Sequence, residues 1–444
     1  MPTTRTTERA AWQPRGGRGG VRTGLRSALS SGSRCAALGG VLCAQLLLGC
    51  GDRAETADAR GAAAPPARER SAPRALWVLA EGHQRVLDHP ERVPTLIEDA
   101  RLLGATDLFV QVYRGGRAWF DSRLADATPY RSVHDSSGVD TLADLLHRAH
   151  VAGLRVHAWI NLLSLASNRD APLLRSLGAG AVLVDRLGRS LLDYPALDVP
   201  APDRRYYRMG TPGLYLDPAT PGLAEHLAAT CGELLLGYPE LDGLHLDYVR
   251  YPDVLPFAPG SRFGVGLDFG YGEGTRQRFA RETGAEAPFG SSIRNADRWD
   301  EWRRDKVTEL VQTIAARARQ SHPAITLSAA VWTYEDRAYL ALGQDWRRWL
   351  EEGLLDVAVP MAYTRDDRLF RYQVETFANL PRGDRIWIGL GTWLFSDEPA
   401  RALEQLRRVE AAGAAGAALF SYDSIVAAPA LRAALIEEEE RGAR

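Results

Sequence analysis

From Arg74 onward, short apolar runs alternate with longer amphipathic stretches, and this alternation limits the possible folds more than any other feature of the chain. Strands separated by helices form parallel sheets, because a parallel neighbour can be reached only through a crossover. The pattern predicts strands over residues 75–80, 107–113, 155–161, the opening half of 241–252, 325–332, 357–363, 385–390 and 417–420. Helices are expected over 93–103, 142–152, 223–236, 302–320, 346–352, 370–380, 399–412 and 429–440, with Gly153 ending the second. Eight strands alternating with eight helices are the count of a (β/α)8 TIM barrel. A doubly wound open sheet would carry a G-x-G-x-x-G turn after its first strand. That turn here reads Ala80-Glu81-Gly82-His83.

The expected barrel, residues 74–440, is longer than the roughly 250 residues usual for the fold. Most of the surplus falls in 162–221 after strand three and 253–301 after strand four. Both segments follow a strand and precede its helix, which puts them on the face where barrel active sites sit. Two long neighbouring loops there would wall a groove, a shape suited to a polymer.

Residues 241–252 read Leu-Asp-Gly-Leu-His-Leu-Asp-Tyr-Val-Arg-Tyr-Pro. Leu244 and Leu246 alternate with His245 and Asp247, the period of a strand, and Pro252 cannot continue a central ladder. Asp247 therefore falls at the carboxyl end of strand four. The other strand ends supply Glu81, Tyr113, Arg114, Trp159, Asn161, Trp332, Glu335, Tyr363, Trp393, Tyr422 and Asp423. Aromatic faces that stack on sugar rings, with carboxylates beside the scissile bond, are the groups glycoside hydrolysis uses.

Asp247 is the leading catalytic candidate. Glu335, after the neighbouring fifth strand, is its first-choice partner, since the pair could fall within the roughly 5–9.5 Å that such mechanisms span. Glu81 is the second choice and Asp423 the third. Tyr113, Arg114, Trp159, Asn161, His245, Arg250, Tyr251, Trp332, Tyr363, Trp393 and Tyr422 are the candidates for holding sugar. Asp242, ahead of strand four, is expected to bond backbone at the opposite end of the barrel.

Other chemistries lack their parts. There is no H-E-x-x-H or H-x-H cluster, no G-x-S-x-G elbow and no P-loop, so neither metal nor cofactor is expected. A formal charge of −2 gives no reason to expect nucleic acid as a partner.

Ahead of the barrel, Arg5, Arg9, Arg15, Arg18, Arg22, Arg26 and Arg34 precede an apolar run from Cys35 to Leu48. A charged segment followed by an apolar one too short to span a bilayer is the pattern of a signal peptide. It ends Leu47-Leu48-Gly49-Cys50, which resembles a bacterial lipobox, with Cys50 as the lipidated residue. Residues 1–49 are expected to be removed and 50–73 to form a tether rich in Ala, Pro, Arg and Glu. Gly51 after the cysteine favours the outer membrane; plain secretion after cleavage elsewhere is the alternative. Cys231 is then left alone in a helical stretch and reads as a small buried hydrophobe.

The same residues resemble the bacterial glycosyl-hydrolase-like family 10. The resemblance runs through residues 110–114 (Val-Gln-Val-Tyr-Arg), 156–161 (Val-His-Ala-Trp-Ile-Asn), Leu216-Asp217-Pro218, 302–307 and 420–424, and is most specific over 242–252. It implies a (β/α)8 glycoside hydrolase, often an envelope lipoprotein, acting on peptidoglycan glycan strands or other surface polysaccharides. It also implies a catalytic role for Asp247. Strand five departs from the family, reading Ser-Ala-Ala-Val-Trp-Thr over 328–333 where Ser-Pro-Phe-Gly is common, so Glu335 rests on position alone. A catalytically inactive carbohydrate-binding lipoprotein on the same barrel is the alternative expectation.

Overall fold

Runs rich in Leu, Val, Ile and aromatic residues form eight parallel strands: β1 (Arg74–Val78), β2 (Asp107–Arg114), β3 (Arg155–Asn161), β4 (Gly243–Asp247), β5 (Thr326–Val331), β6 (Val357–Pro360), β7 (Trp387–Gly391) and β8 (Gly416–Phe420). The structure is a computed structural model and describes residues 72–256 and 267–443. The expected signal segment, Cys50 and nearly all of the tether lie outside the described residues.

Each strand pairs with its sequence neighbours from β1 to β6, and β8 joins β1 to β7. Two single bridges, Ala358 to Ile386 and Met361 to Gly389, link β6 to β7 and close the cylinder. The intervening helices are α1 (Val93–Leu102), α2 (Thr141–Val151), α3 (Leu223–Gly237), α4 (Ala296–Ser321), α5 (Trp346–Glu351), α6 (Asp367–Ala378), α7 (Pro399–Ala411) and α8 (Pro429–Ala443). The fold is the expected (β/α)8 barrel. Asp140 caps α2 by accepting from Ala143 N, and Asp366 caps α6 by accepting from Arg368 N and Leu369 N.

Inside the cylinder Trp77, Phe109, His245 and Trp387 fill the middle. Phe109 stacks on His245 with ring centroids 4.0 Å apart, and the Trp77 indole donates to His245 Nε2 at 3.0 Å. Below them Asp107 is fully buried, accepting from Arg155 at 2.7 Å and lying 2.9 Å from His157 Nε2. Asp242 sits at this end too, accepting from Val156 N at 2.7 Å. This end of the barrel is therefore stitched by polar groups.

The two long loops cover the carboxyl end of β3 and β4. A strand at Tyr207–Met209 in the first pairs antiparallel with Val254–Pro256 in the second. Asp217, from the Leu-Asp-Pro turn, accepts from Thr275 Oγ1 at 2.7 Å and so joins the first loop to the helix Glu273–Thr283 of the second. The first loop is also bonded to the strand-four turn: Leu162 N donates to Asp247 O at 2.9 Å and Leu163 N to Tyr248 O at 3.2 Å.

Candidate active site

Asp247 is the last residue of β4 and opens towards the mouth of the barrel. It is 8% exposed. Its Oδ1 accepts from Tyr248 N at 2.7 Å and its Oδ2 from the Trp159 indole at 3.1 Å. Tyr248 has φ 51°, a left-handed conformation that a bulky residue rarely adopts, so the chain turns sharply just after the carboxylate. Burial pushes the Asp247 carboxyl up; the Arg250 guanidinium and the two N–H donors pull it back only in part. A carboxyl in that state keeps its proton to higher pH, the condition a general acid needs.

Aromatic rings surround this carboxyl. Phe420, at the end of β8, lies 6.2 Å from Trp159, 5.7 Å from Tyr363 and 5.6 Å from Trp393, ring centroid to centroid. Tyr363 packs edge-on against Trp393 at 4.8 Å, and the Asp247 charge acts on the Tyr363 phenol. Trp393 stands at the rim, 40% exposed. Arg250 is buried behind the wall between Tyr248 (5.1 Å) and Trp332 (5.3 Å), paired with Asp253 at 3.2 Å. Asn161 lies beside Asp247 in the β3–β4 register, and Gln111 donates to its Oδ1 at 3.2 Å.

The structure brings Asp247, Trp159, Asn161, Trp332, Tyr363 and Trp393 to one mouth, with Arg250 behind. Arg114 stands at the rim close enough for the Tyr248 phenol to act on it, paired with Glu81. Four expected sugar contacts lie elsewhere. His245 is fully buried below the mouth, held by Trp77 and by Ser328 Oγ at 2.9 Å. Tyr113 is buried near Cys231 of α3, because the β2 register shifts between Gln111 and Tyr113 and turns the ring to the helix layer. The Tyr422 hydroxyl donates to Asp99 of α1 at 3.0 Å, and Tyr251 lies beneath the Arg303 guanidinium.

The candidate partner carboxylates are also engaged. Glu335 begins a short helix after β5 and accepts from Arg347 of α5 at 3.0 Å. Glu81 accepts from both Arg114 and Arg117, the latter at 2.8 Å. Asp423 is buried and accepts from Gln84 N at 2.8 Å. Among the described residues no group of three or more His, Cys, Asp or Glu side chains is placed to hold a metal ion.

Two residues that shape the mouth, Gln111 and Phe420, were not among the expected contacts. Gln111 shares the inward parity of Phe109 two positions earlier, which is the signal that finds it. Phe420 lies in the resemblance at 420–424 but is the last residue of β8, ahead of the short helix that carries Tyr422 and Asp423.

The family described as glycosyl hydrolase-like 10 matches residues 73–390, most of the chain. The chain belongs to this family. As a glycosyl hydrolase-like 10 member it is 26% identical over 327 residues to glycosyl hydrolase DigH of Escherichia coli K12, covering 68% of this chain and 64% of DigH. It is 22% identical over 285 residues to glycosyl hydrolase YngK of Bacillus subtilis, covering 60% of this chain and 48% of YngK. The chain thus spans less than two thirds of either relative. Among solved structures, the PgaB (BpsB) glycoside hydrolase domain of Bordetella bronchiseptica aligns with TM-score 0.53 at 15% identity, over 82% of this chain and 99% of that one. A GH42 β-galactosidase from G. stearothermophilus aligns with TM-score 0.53 at 12% identity, over 83% and 57%. At such identities these two structures speak for the barrel alone.

Proposed function

We propose that this chain is a lipid-anchored glycoside hydrolase of the cell envelope, cleaving a polysaccharide such as the glycan strands of peptidoglycan. Asp247 would protonate the glycosidic oxygen of the leaving sugar. The observation that carries this reading is the carboxyl itself: desolvated, hydrogen-bonded by Trp159, and set in an aromatic cleft at the reactive end of the barrel. Trp159, Tyr363, Phe420 and Trp393 offer stacking faces, and Asn161 and Arg114 offer donors. Family membership and the glycosyl hydrolase names of its relatives support the same reading. A lipid on Cys50 would hold the barrel at the outer membrane, within reach of that polymer.

A second reading, an envelope carbohydrate-binding protein without turnover, draws on one observation: Glu81, Glu335 and Asp423 are each bonded to other groups. The test is incubation with intact peptidoglycan and with stem-peptide-free glycan strands, followed by mass analysis of products, for the wild type and Asp247→Asn. The hydrolase reading expects cleavage by the wild type and a loss of about 100-fold or more in the variant. Binding without cleavage by the wild type would instead establish the second reading.

A further inference from the structure

We propose that Thr392 is a positioning residue for the rim: its buried hydroxyl ties the end of β7 to the end of β8 and holds Trp393 and Phe420 as one stacking surface. The proposal rests on the reading above that a glycan lies across this mouth, and it adds how the rings that meet it are fixed.

The β7–β8 ladder ends where Gly391 lies opposite Phe420. One residue on, the Thr392 hydroxyl donates to the Phe420 carbonyl at 2.7 Å and lies 2.9 Å from Ser424 Oγ. A side chain thus continues the pairing where the ladder stops. Ser424 Oγ in turn accepts from Ser421 N at 2.9 Å and lies 2.7 Å from the Ser421 carbonyl oxygen. A hydroxyl carries one proton, and a carbonyl can only accept. The Thr392 proton is therefore committed to Phe420, and the contact with Ser424 needs the serine to donate. Ser424 shares its proton between Thr392 Oγ1 and the Ser421 carbonyl, a three-centre arrangement. Donations thus run from Ser421 N–H through Ser424 and Thr392 to the carbonyl of Phe420. Thr392 is buried, so water is poorly placed to replace its hydroxyl.

The same stretch seats the rings. A Cβ at Gly391 would lie 2.7 Å from Trp393 Cζ3 and 3.2 Å from Tyr363 Cδ1, so the indole lies across bare backbone. Trp393 meets Tyr363 edge-on at 4.8 Å and Phe420 at 5.6 Å, yet it stands exposed at the rim. An exposed ring held in one orientation has little freedom left to lose when a sugar stacks on it. Released from β8, the ring would have to be ordered by the substrate, and binding would weaken. Stacking that acts alike on bound substrate and transition state shows in KM, not in kcat.

Steady-state kinetics and equilibrium binding on stem-peptide-free glycan strands test this in the full chain. Thr392→Val keeps the shape and removes the hydroxyl, Thr392→Ser keeps the hydroxyl, and Ser424→Ala cuts the run at its middle. Thermal melts followed by circular dichroism check that each variant is folded; should the valine variant not fold, Ser424→Ala carries the same test. Thr392→Val should raise KM and Kd about tenfold with kcat within about twofold, and Ser424→Ala should raise them about threefold. Thr392→Ser should stay within about twofold of wild type, because it restores the donor. In a Trp393→Ala background Thr392→Val should add less than about twofold, since the ring it positions is gone. An unchanged KM in Thr392→Val, a serine variant as weak as the valine, or a full penalty without the Trp393 ring would overturn the proposal and leave the hydrolase reading standing. Binding without cleavage by the wild type would overturn the hydrolase reading, while the same pattern in Kd still judges Thr392. Failure to bind the strands at all would overturn both.

Discussion

The Trp159 indole N–H donates to the Asp247 carboxyl at 3.1 Å, from the strand alongside it. A donor to a carboxylate favours its ionised form, so this bond works against the burial that raises the carboxyl. Trp159→Phe keeps a ring and removes the donor. With Asp247 as the acid proposed above, the protonated carboxyl is the working form, and activity should fall as pH rises through its pKa. The variant's descending limb should therefore move to higher pH, with kcat/KM at its optimum down about tenfold through looser orientation of the acid. Full pH–rate profiles of both proteins check this; a limb displaced to lower pH would contradict it.

Glu335 and Arg347 form a partly exposed pair on the outer side of the barrel end. Such pairs contribute about 0–1 kcal/mol. Glu335→Gln should therefore leave turnover within about fivefold of wild type, whereas a catalytic partner of Asp247 would lose about 100-fold or more. Steady-state kinetics on one glycan, beside Asp247→Asn, separates the two.

At the other end of the barrel, burial pushes the Asp107 carboxyl up, but hydrogen bonds from His157 and Arg155 and the His157 charge outweigh it and bring it down to about 2. A depressed carboxyl adds stability above its unfolded pKa near 3.9 and loses it as pH falls through about 2. Asp107→Asn should cost about 3 kcal/mol at neutral pH, because it leaves Arg155 and the buried His157 without their anion. The gap from wild type should narrow between about pH 4 and pH 2. Urea midpoints across that range measure it, and a gap that widens in acid would refute the assignment.

Gly243 opens β4 opposite His157, and a Cβ there would lie 2.1 Å from His157 Nδ1. The ring cannot swing aside without giving up its bond to Asp107. Gly243→Ala should destabilise by about 2 kcal/mol through overpacking, although alanine is otherwise acceptable in a strand. Chemical denaturation reads the loss; a midpoint equal to wild type would mean that β4 shifts freely.

The barrel was legible because each strand is a short apolar run and each helix a longer amphipathic one, and because no phosphate turn follows the first strand. The mouth was legible where residues of inward parity close a strand, as Trp159 and Asn161 do in β3 and Asp247 in β4. It was not legible past an irregularity. The β2 register shift turns Tyr113 to the helices, while Tyr251 lies in the loop after β4 and Tyr422 opens a short helix after β8, where strand alternation no longer assigns a side. Glu335 follows the same logic: four residues beyond β5 the chain has entered a helix, and the helix, not the strand, aims its carboxylate.

Long loops at a barrel mouth are the part of such a fold most open to exchange, since the strands beneath hold their shape without them. Here Leu162 and Leu163 spend their N–H groups on the carbonyls of Asp247 and Tyr248. A loop swapped in from a relative would also have to reproduce those two donations, or it would release the backbone that positions the Asp247 carboxyl. On the proposed reading, selectivity and reactivity in this barrel would be inherited together, and loop grafts should be cut after Leu163, leaving both donors in place.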